Sequence, residues 1–205
     1  MKYTTGLVAA ILIFLSIAAS AQDKKGSLYF DVPAFTDSSS TLMIPIEYSE
    51  PLFTSNKLGG YGGYYANIIF YDFTTDRSHK LFDHNTYIKH FGMNRYYGGP
   101  VEKHQTANWI FYQVRDSNTS GNKRIDGSDP TMLYVSDLHG NHLQRITNPD
   151  ENLISFELHE KQGFMLLKMQ RDQDHNSKFN VDDRDFYYVR LELKSLKLGN
   201  KIEIR

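Results

Sequence analysis

Short runs in which apolar and polar residues alternate, each closed by Gly, Asn, Asp or Ser, recur along most of this chain. Alternation with a period of two places one set of side chains on each face of a strand, and the turn-forming residues stop it. The pattern predicts strands at SLYFDV (27–32), TLMIPIEY (41–48), YANIIFYDF (65–73), SHKLF (78–82), TYIKHF (86–91) and NWIFYQV (108–114). It predicts six more at MLYVSDL (132–138), HLQRIT (142–147), NLISFEL (152–158), GFMLLKMQ (163–170), FYYVRLELKSL (186–196) and KIEI (201–204). Pro45 lies inside the second run. It has no N–H to give a ladder, so an edge or a bulge is expected there.

The runs repeat. Residues 68–73 (IIFYDF) lie over 133–138 (LYVSDL) at an offset of 65, and at the same offset Leu81 meets Ile146 and Phe91 meets Phe156. After extra residues around 95–104, Ile110 meets Leu166 and Asp116 meets Asp172 at an offset of 56. The units run over 65–114, 132–170 and 186–205, and the strands within 27–48 offer one way to complete the last. Four short strands per unit at this spacing predict an all-β chain of repeated four-stranded antiparallel sheets. The expected body is one domain over 22–205, a partial or atypical β-propeller with about three blade-like units.

The phrase MLYVSDLHGNHLQRIT (132–147) resembles the repeats of TolB-type, WD40-like (PD40-like) propellers of secreted bacterial proteins. In that family an LYxxDLxG strand and turn precede an xxLT strand. The insert IDGSDP (125–130) is similar to inserts in such repeats. The likeness covers 108–170 well and 65–108 and 171–196 less well, and is absent over 22–63. It implies an architecture rather than an activity. Closed propellers use four or more blades. Three units therefore leave an open wedge, two chains combined, or a compact sandwich-like body as the readings.

Two acidic loops punctuate the repeat: RDSNTSGNKRIDGSD (115–129) and RDQDHNSKFNVDD (171–183). Numbered from Asp172, the second carries oxygen-bearing side chains at positions 1 (Asp172), 3 (Asp174), 5 (Asn176), 9 (Asn180) and 12 (Asp183), with Lys178 offering its carbonyl at 7. Calcium takes six to eight oxygens, and ligands at 1, 3, 5, 7, 9 and 12 of a tight loop supply them. Ser177 stands where such loops have Gly, and Asp183 where they have Glu, so a weak Ca²⁺ site of about 10⁻⁴–10⁻³ M is expected. In the first loop Asp116 and Asn118 hold positions 1 and 3; Ile125, Asp126 and Asp129 match 8, 9 and 12 after a two-residue insertion. Ordinary solvated turns are the competing reading of both loops. Neither loop is flanked by helical periodicity, so no EF-hand helix pair is predicted.

The first 21 residues read as a signal peptide: Lys2, an apolar core over 6–18, and the small-x-small site Ala19-Ser20-Ala21. The apolar run is too short to favour a span, so export to the periplasm or outside the cell is expected, without stable membrane insertion. The chain has no Cys, which leaves core packing or metal to stabilise an exported protein. Removing Lys2 with the leader takes the formal charge from −1 to −2, which argues against nucleic acid as a partner. The 14 Tyr and 13 Phe fall mostly inside the strand runs and read as core.

No nucleophile elbow, phosphate loop or dinucleotide glycine pattern is present. His139-x-x-His142 spans a turn without an evident third ligand. Glu47, Asp72, Glu102 and Glu157 are loose carboxylates that no spacing unites. The leading expectation is therefore a non-enzymatic binding module with Ca²⁺-ordered loops, its partner a protein, peptide or glycan. Its ligand would lie on sheet edges or on the Tyr/Gly stretches at 57–65 and 94–100. The alternatives are a calcium-dependent hydrolase of a glycan or ester and a structural assembly or spacer domain, for which a homodimer is an open state.

Overall fold

The computed structural model describes residues 28–36, 40–48, 65–93, 103–122 and 125–203. The leader, the 94–100 stretch, Glu102 and all of the 57–65 stretch but Tyr65 lie outside the described residues. The strands are β1 (Leu28–Phe30), β2 (Ala34–Phe35), β3 (Thr41–Tyr48), β4 (Tyr65–Asp72), β5 (Arg77–Lys80), β6 (Tyr87–Met93) and β7 (Lys103–His104). They continue with β8 (Ile110–Arg115), β9 (Met132–Ser136), β10 (Gln144–Arg145), β11 (Glu151–His159), β12 (Phe164–Arg171), β13 (Phe186–Glu192) and β14 (Leu198–Glu203). Among the described residues a single 3-10 turn, Glu160–Gln162, is the one helical element. The chain is all-β, and every pairing is antiparallel.

The pairing resolves into three four-stranded meanders: β1-β3-β4-β5, β6-β8-β9-β10 and β11-β12-β13-β14. The short β2 and β7 add to β3 and β6. The first two meanders form one ten-stranded sheet, yet they meet through one rung, Tyr65 opposite Ile88. Each meander is here called a sheet. The sheets are stacked over two cores. Met43, Ile68 and Phe70 of the first pack with Ile88, Ile110, Tyr112 and Met132 of the second. Phe111, Leu133 and Val135 of the second pack with Met165, Leu167, Tyr187 and Val189 of the third. The middle sheet is covered on both sides, and β8 and β9 read as unbroken buried runs. The third sheet is covered on one side, and β13 alternates exposed and buried. Each fully buried side chain of this size contributes about 1.5–3 kcal/mol of transfer free energy.

Three sequence expectations change. The repeat has the right period but the wrong phase: a unit such as 65–114 gives β4 and β5 to the first sheet and β6 and β8 to the second. The strands of 27–48 do not complete the last unit; β3 pairs β4 along its length, with Met43 opposite Phe70 and Ile44 opposite Ile69. The offset of 56 is one too many within the strands. Ile110, Tyr112 and Val114 of β8 face the core towards the first sheet as Met165, Leu167 and Met169 of β12 face the core towards the second, which fixes 55. A one-residue slip would have turned every core side chain of β12 outward. The 65-residue offset matches bond for bond: Leu81 N–H donates to Ile68 at 2.9 Å and Ile146 N–H to Leu133 at 2.8 Å.

Pro45 sits in a strand paired on both sides, at the gap between the β2 register, which ends at Met43, and the β1 register, which begins at Ile46. Its carbonyl accepts from Asp31 N–H at 2.9 Å, on the β1 side. The nitrogen of a strand residue points the same way as its carbonyl in an antiparallel ladder, so the missing N–H costs β4 nothing.

Candidate metal centre

Both acidic loops join the second and third strands of a sheet: 116–129 links β8 to β9, and 172–183 links β12 to β13. They lie side by side. Phe179 N–H donates to the Ser128 carbonyl at 2.9 Å, and the Thr119 hydroxyl donates to the Ser177 carbonyl at 2.9 Å. Phe179, at position 8, is buried and anchors the second loop.

The closing aspartates do the same work in both loops. Asp129 is fully buried; it accepts from Thr119 and Ser120 N–H at 2.9 and 3.0 Å and from Asp126 N–H at 2.7 Å. Asp183 is 2% exposed; it accepts from Gln173 N–H at 3.0 Å and Asn180 N–H at 3.1 Å. Position 9 makes a small turn of its own each time, Asp126 accepting from Ser128 N–H at 2.9 Å and Asn180 from Asp182 N–H at 2.6 Å. A side chain at the end of the preceding strand braces each closing carbonyl: Arg115 Nε donates to Asp129 at 3.1 Å, and Gln170 Nε2 to Asp183 at 2.8 Å. Arg115 and Gln170 are 55 residues apart, the strand offset, so the two loops share one design.

The second loop brings Asp172, Asp174 and Asp183 together, with one carboxylate oxygen from each lying within 4.8 Å of the others. Among the described residues no Lys or Arg forms an ion pair with any of the three; the neighbouring Arg171 is held by Asp185 at 3.0 Å and by Glu203. Asp172 accepts from Asn176 and Ser177 N–H at 3.2 and 2.7 Å. A carboxylate offers about four lone-pair sites, so Asp172 and Asp183 retain capacity for a cation. Asn176 accepts from Lys178 N–H at 2.8 Å and gives its amide to Asp174 at 2.7 Å. This donor set fits a hard divalent ion.

The first loop does not gather its carboxylates. Asp116 accepts from the Tyr134 hydroxyl instead, Asn118 accepts from Gly121 N–H at 3.0 Å, and Asp126 accepts from the Asn122 amide at 2.6 Å. In the third sheet the place of Tyr134 is held by Val189, which has no hydroxyl, so Asp172 is left to its loop. Sequence reasoning passed over Gly121. It stands at position 6 of the first loop with φ of 73°, the glycine that the second loop lacks. The signal was the string DSNTSG (116–121), which carries positions 1, 3 and 6 before the insertion. At position 6 of the second loop, Ser177 takes the same left-handed conformation at φ 61°.

The histidines of the 139–142 turn go separate ways. His139 Nδ1 is 2.6 Å from the Thr41 hydroxyl, tying the second sheet to the first, while His142 Nδ1 is 3.0 Å from Asp137. Gly140 holds the turn at φ 77°, and a Cβ there would lie 2.3 Å from the Phe70 ring. Of the loose carboxylates, Asp72 is a turn residue whose carboxyl is lowered to about 2 by the Thr74 hydroxyl and N–H. Glu47 pairs opposite Tyr65, at the other end of the β3–β4 ladder, roughly 20 Å away at strand rise. Glu157 lies on the third sheet, 3.5 Å from His159. A glycosidase pair stands about 5–10 Å apart, and these three do not form one.

No family model matches the sequence, and no curated protein matches it. Among solved structures the chain is similar to an oligogalacturonate lyase in complex with manganese, at 9% identity and a TM-score of 0.42. The match covers 79% of this chain and 39% of the lyase chain. Such a likeness is too slight to bear on chemistry.

Proposed function

We propose that this chain is an exported, non-enzymatic binding module, periplasmic or secreted, whose paired acidic loops are ordered by Ca²⁺. The observation that carries the reading is the convergence of Asp172, Asp174 and Asp183, with no Lys or Arg ion-paired to them among the described residues. The spacing suits calcium better than magnesium: the three carboxylates, joined by Asn176, Asn180 and the Lys178 carbonyl from their loop positions, would make a flexible oxygen cage, whereas Mg²⁺ demands a tight octahedron and keeps its waters. The ion would draw 172–183 taut, and Phe179 and Ser177 would pass that order to the first loop through their backbone bonds. The partner is a protein, peptide or glycan met at the loop end of the sheets.

The test is thermal unfolding of the chain with calcium and with chelator, followed by peptide and glycan array binding in both conditions. Calcium should raise the melting temperature, Asp172→Asn with Asp174→Asn should erase that rise, and retention on an array feature should need calcium. An unchanged melting temperature would reduce the loops to ordinary turns and sink the reading.

A further inference from the structure

Among the described residues, the two outer sheets each leave one face without a sheet against it. On the first, Phe30 is 68% and Phe35 60% exposed. Phe30, Ile44, Ile69 and Tyr71 line a shallow groove of about 440 Å³ with Asp31 at its margin. On the third, Phe186, Tyr188 and Ile202 are exposed, and Lys168 lies over the Phe186 ring at 5.2 Å.

These faces are opposite halves of one joint. Within the molecule, the face of a sheet that looks forward along the chain packs on the backward-looking face of the next. Ile68 and Phe70 look forward from β4, and Leu133 and Val135, 65 residues on, look forward from β9. On β4 the backward-looking positions are Ile69 and Tyr71; these are the free ones. On β13 the backward-looking Tyr187, Val189 and Leu191 are buried, so the free positions, Phe186, Tyr188 and Arg190, look forward. Among the described residues the stack therefore has a free forward face on the third sheet and a free backward face on the first. By register the forward face carries charges of both signs, Lys168, Arg190 and Glu157, and the backward face carries Lys80 opposite Ile69.

We infer that a second copy of this chain covers both faces, the third sheet of each molecule packing on the first sheet of the other. Head-to-tail contacts close into a ring when the rotation allows it. Three sheets from each of two copies make six, inside the four-to-eight range of closed radial stacks.

Sedimentation equilibrium across about 1–100 μM, the range of moderate association, tests this. The chain is expected at twice its monomer mass. Phe30→Asp and Tyr188→Asp change exposed side chains, so each variant should keep the wild-type circular dichroism spectrum and run as a monomer. Mixed one to one, the two retain one intact joint and should recover a two-chain species at the upper concentrations. A monomeric wild type overturns the inference. So does a Tyr188→Asp variant that still dimerises, which would mean first face on first face, and so does growth beyond two chains. None of these results depends on calcium, so this inference and the metal reading fail separately.

Discussion

The two acidic loops share one design and each lacks a different part of it. The first keeps the glycine, Gly121, in the left-handed conformation its turn demands, but Asp116 is turned aside to Tyr134. The second keeps three convergent carboxylates but forces Ser177 into that same conformation. What both retain is the buried aspartate that closes the loop on its own backbone. Its persistence teaches that this aspartate serves the fold first and any ion second.

The sharpest challenge to that view is to remove the closing aspartates with chelator present. Each lost acceptor strands partly buried N–H groups, at the low end of about 1–3 kcal/mol apiece. Asp129→Ala should cost about 3 kcal/mol and Asp183→Ala about 2, since the first serves more donors, as read by urea unfolding. Equal stability of Asp183→Ala and wild type in chelator would make that carboxylate a metal ligand and little else.

Calcium should then separate the loops. At about 5 mM, binding to a 10⁻⁴–10⁻³ M site adds roughly 1–2 kcal/mol. Asp116→Asn should keep that increment in a calcium titration of the urea midpoint and Asp174→Asn should lose it. Loss in both would mean that the first loop also binds.

A smaller, reciprocal effect lies at position 6. Ser177→Gly relieves a strained conformation and should add about 0.5–1 kcal/mol, and Gly121→Ala should lose about 1 although nothing crowds its Cβ. Matching shifts of opposite sign in thermal melts would confirm that backbone conformation alone separates the two. Smallest of all, Thr119→Val removes one exposed bond between the loops and should cost about 0.5–1 kcal/mol in the same assay.

The strands were legible because alternation survives wherever one face is wet. FYYVRLE of β13 shows it plainly, and even doubly buried β8 stood out by its aromatic and β-branched residues. The ligand spacing of 172–183 was legible too, being set within one short segment. What could not be read was phase. A repeat in sequence has no marked beginning, so 65–114 looked like a sheet when it is two halves. The partner of β3 depends on Met43 meeting Phe70, far along the chain, a contact no local pattern announces. The slip from 55 to 56 arose because the loops differ in length, and anchoring on Asp116 and Asp172 carried that difference back into the strands.

The half-sheet phase has a consequence for how such a chain can be lengthened by duplication. Copying one sequence unit inserts the closing strands of one sheet followed by the opening strands of the next. The new halves find partners on either side, and the stack grows by a whole sheet while its two end faces stay as they were. Duplication in the other phase would add a sheet just as well, but as a piece joined to its neighbours only by loops. The chain passing from one sheet to the next within each repeat, joined at the first boundary by the Tyr65–Ile88 rung, instead keeps inheritance unit and folding unit interleaved.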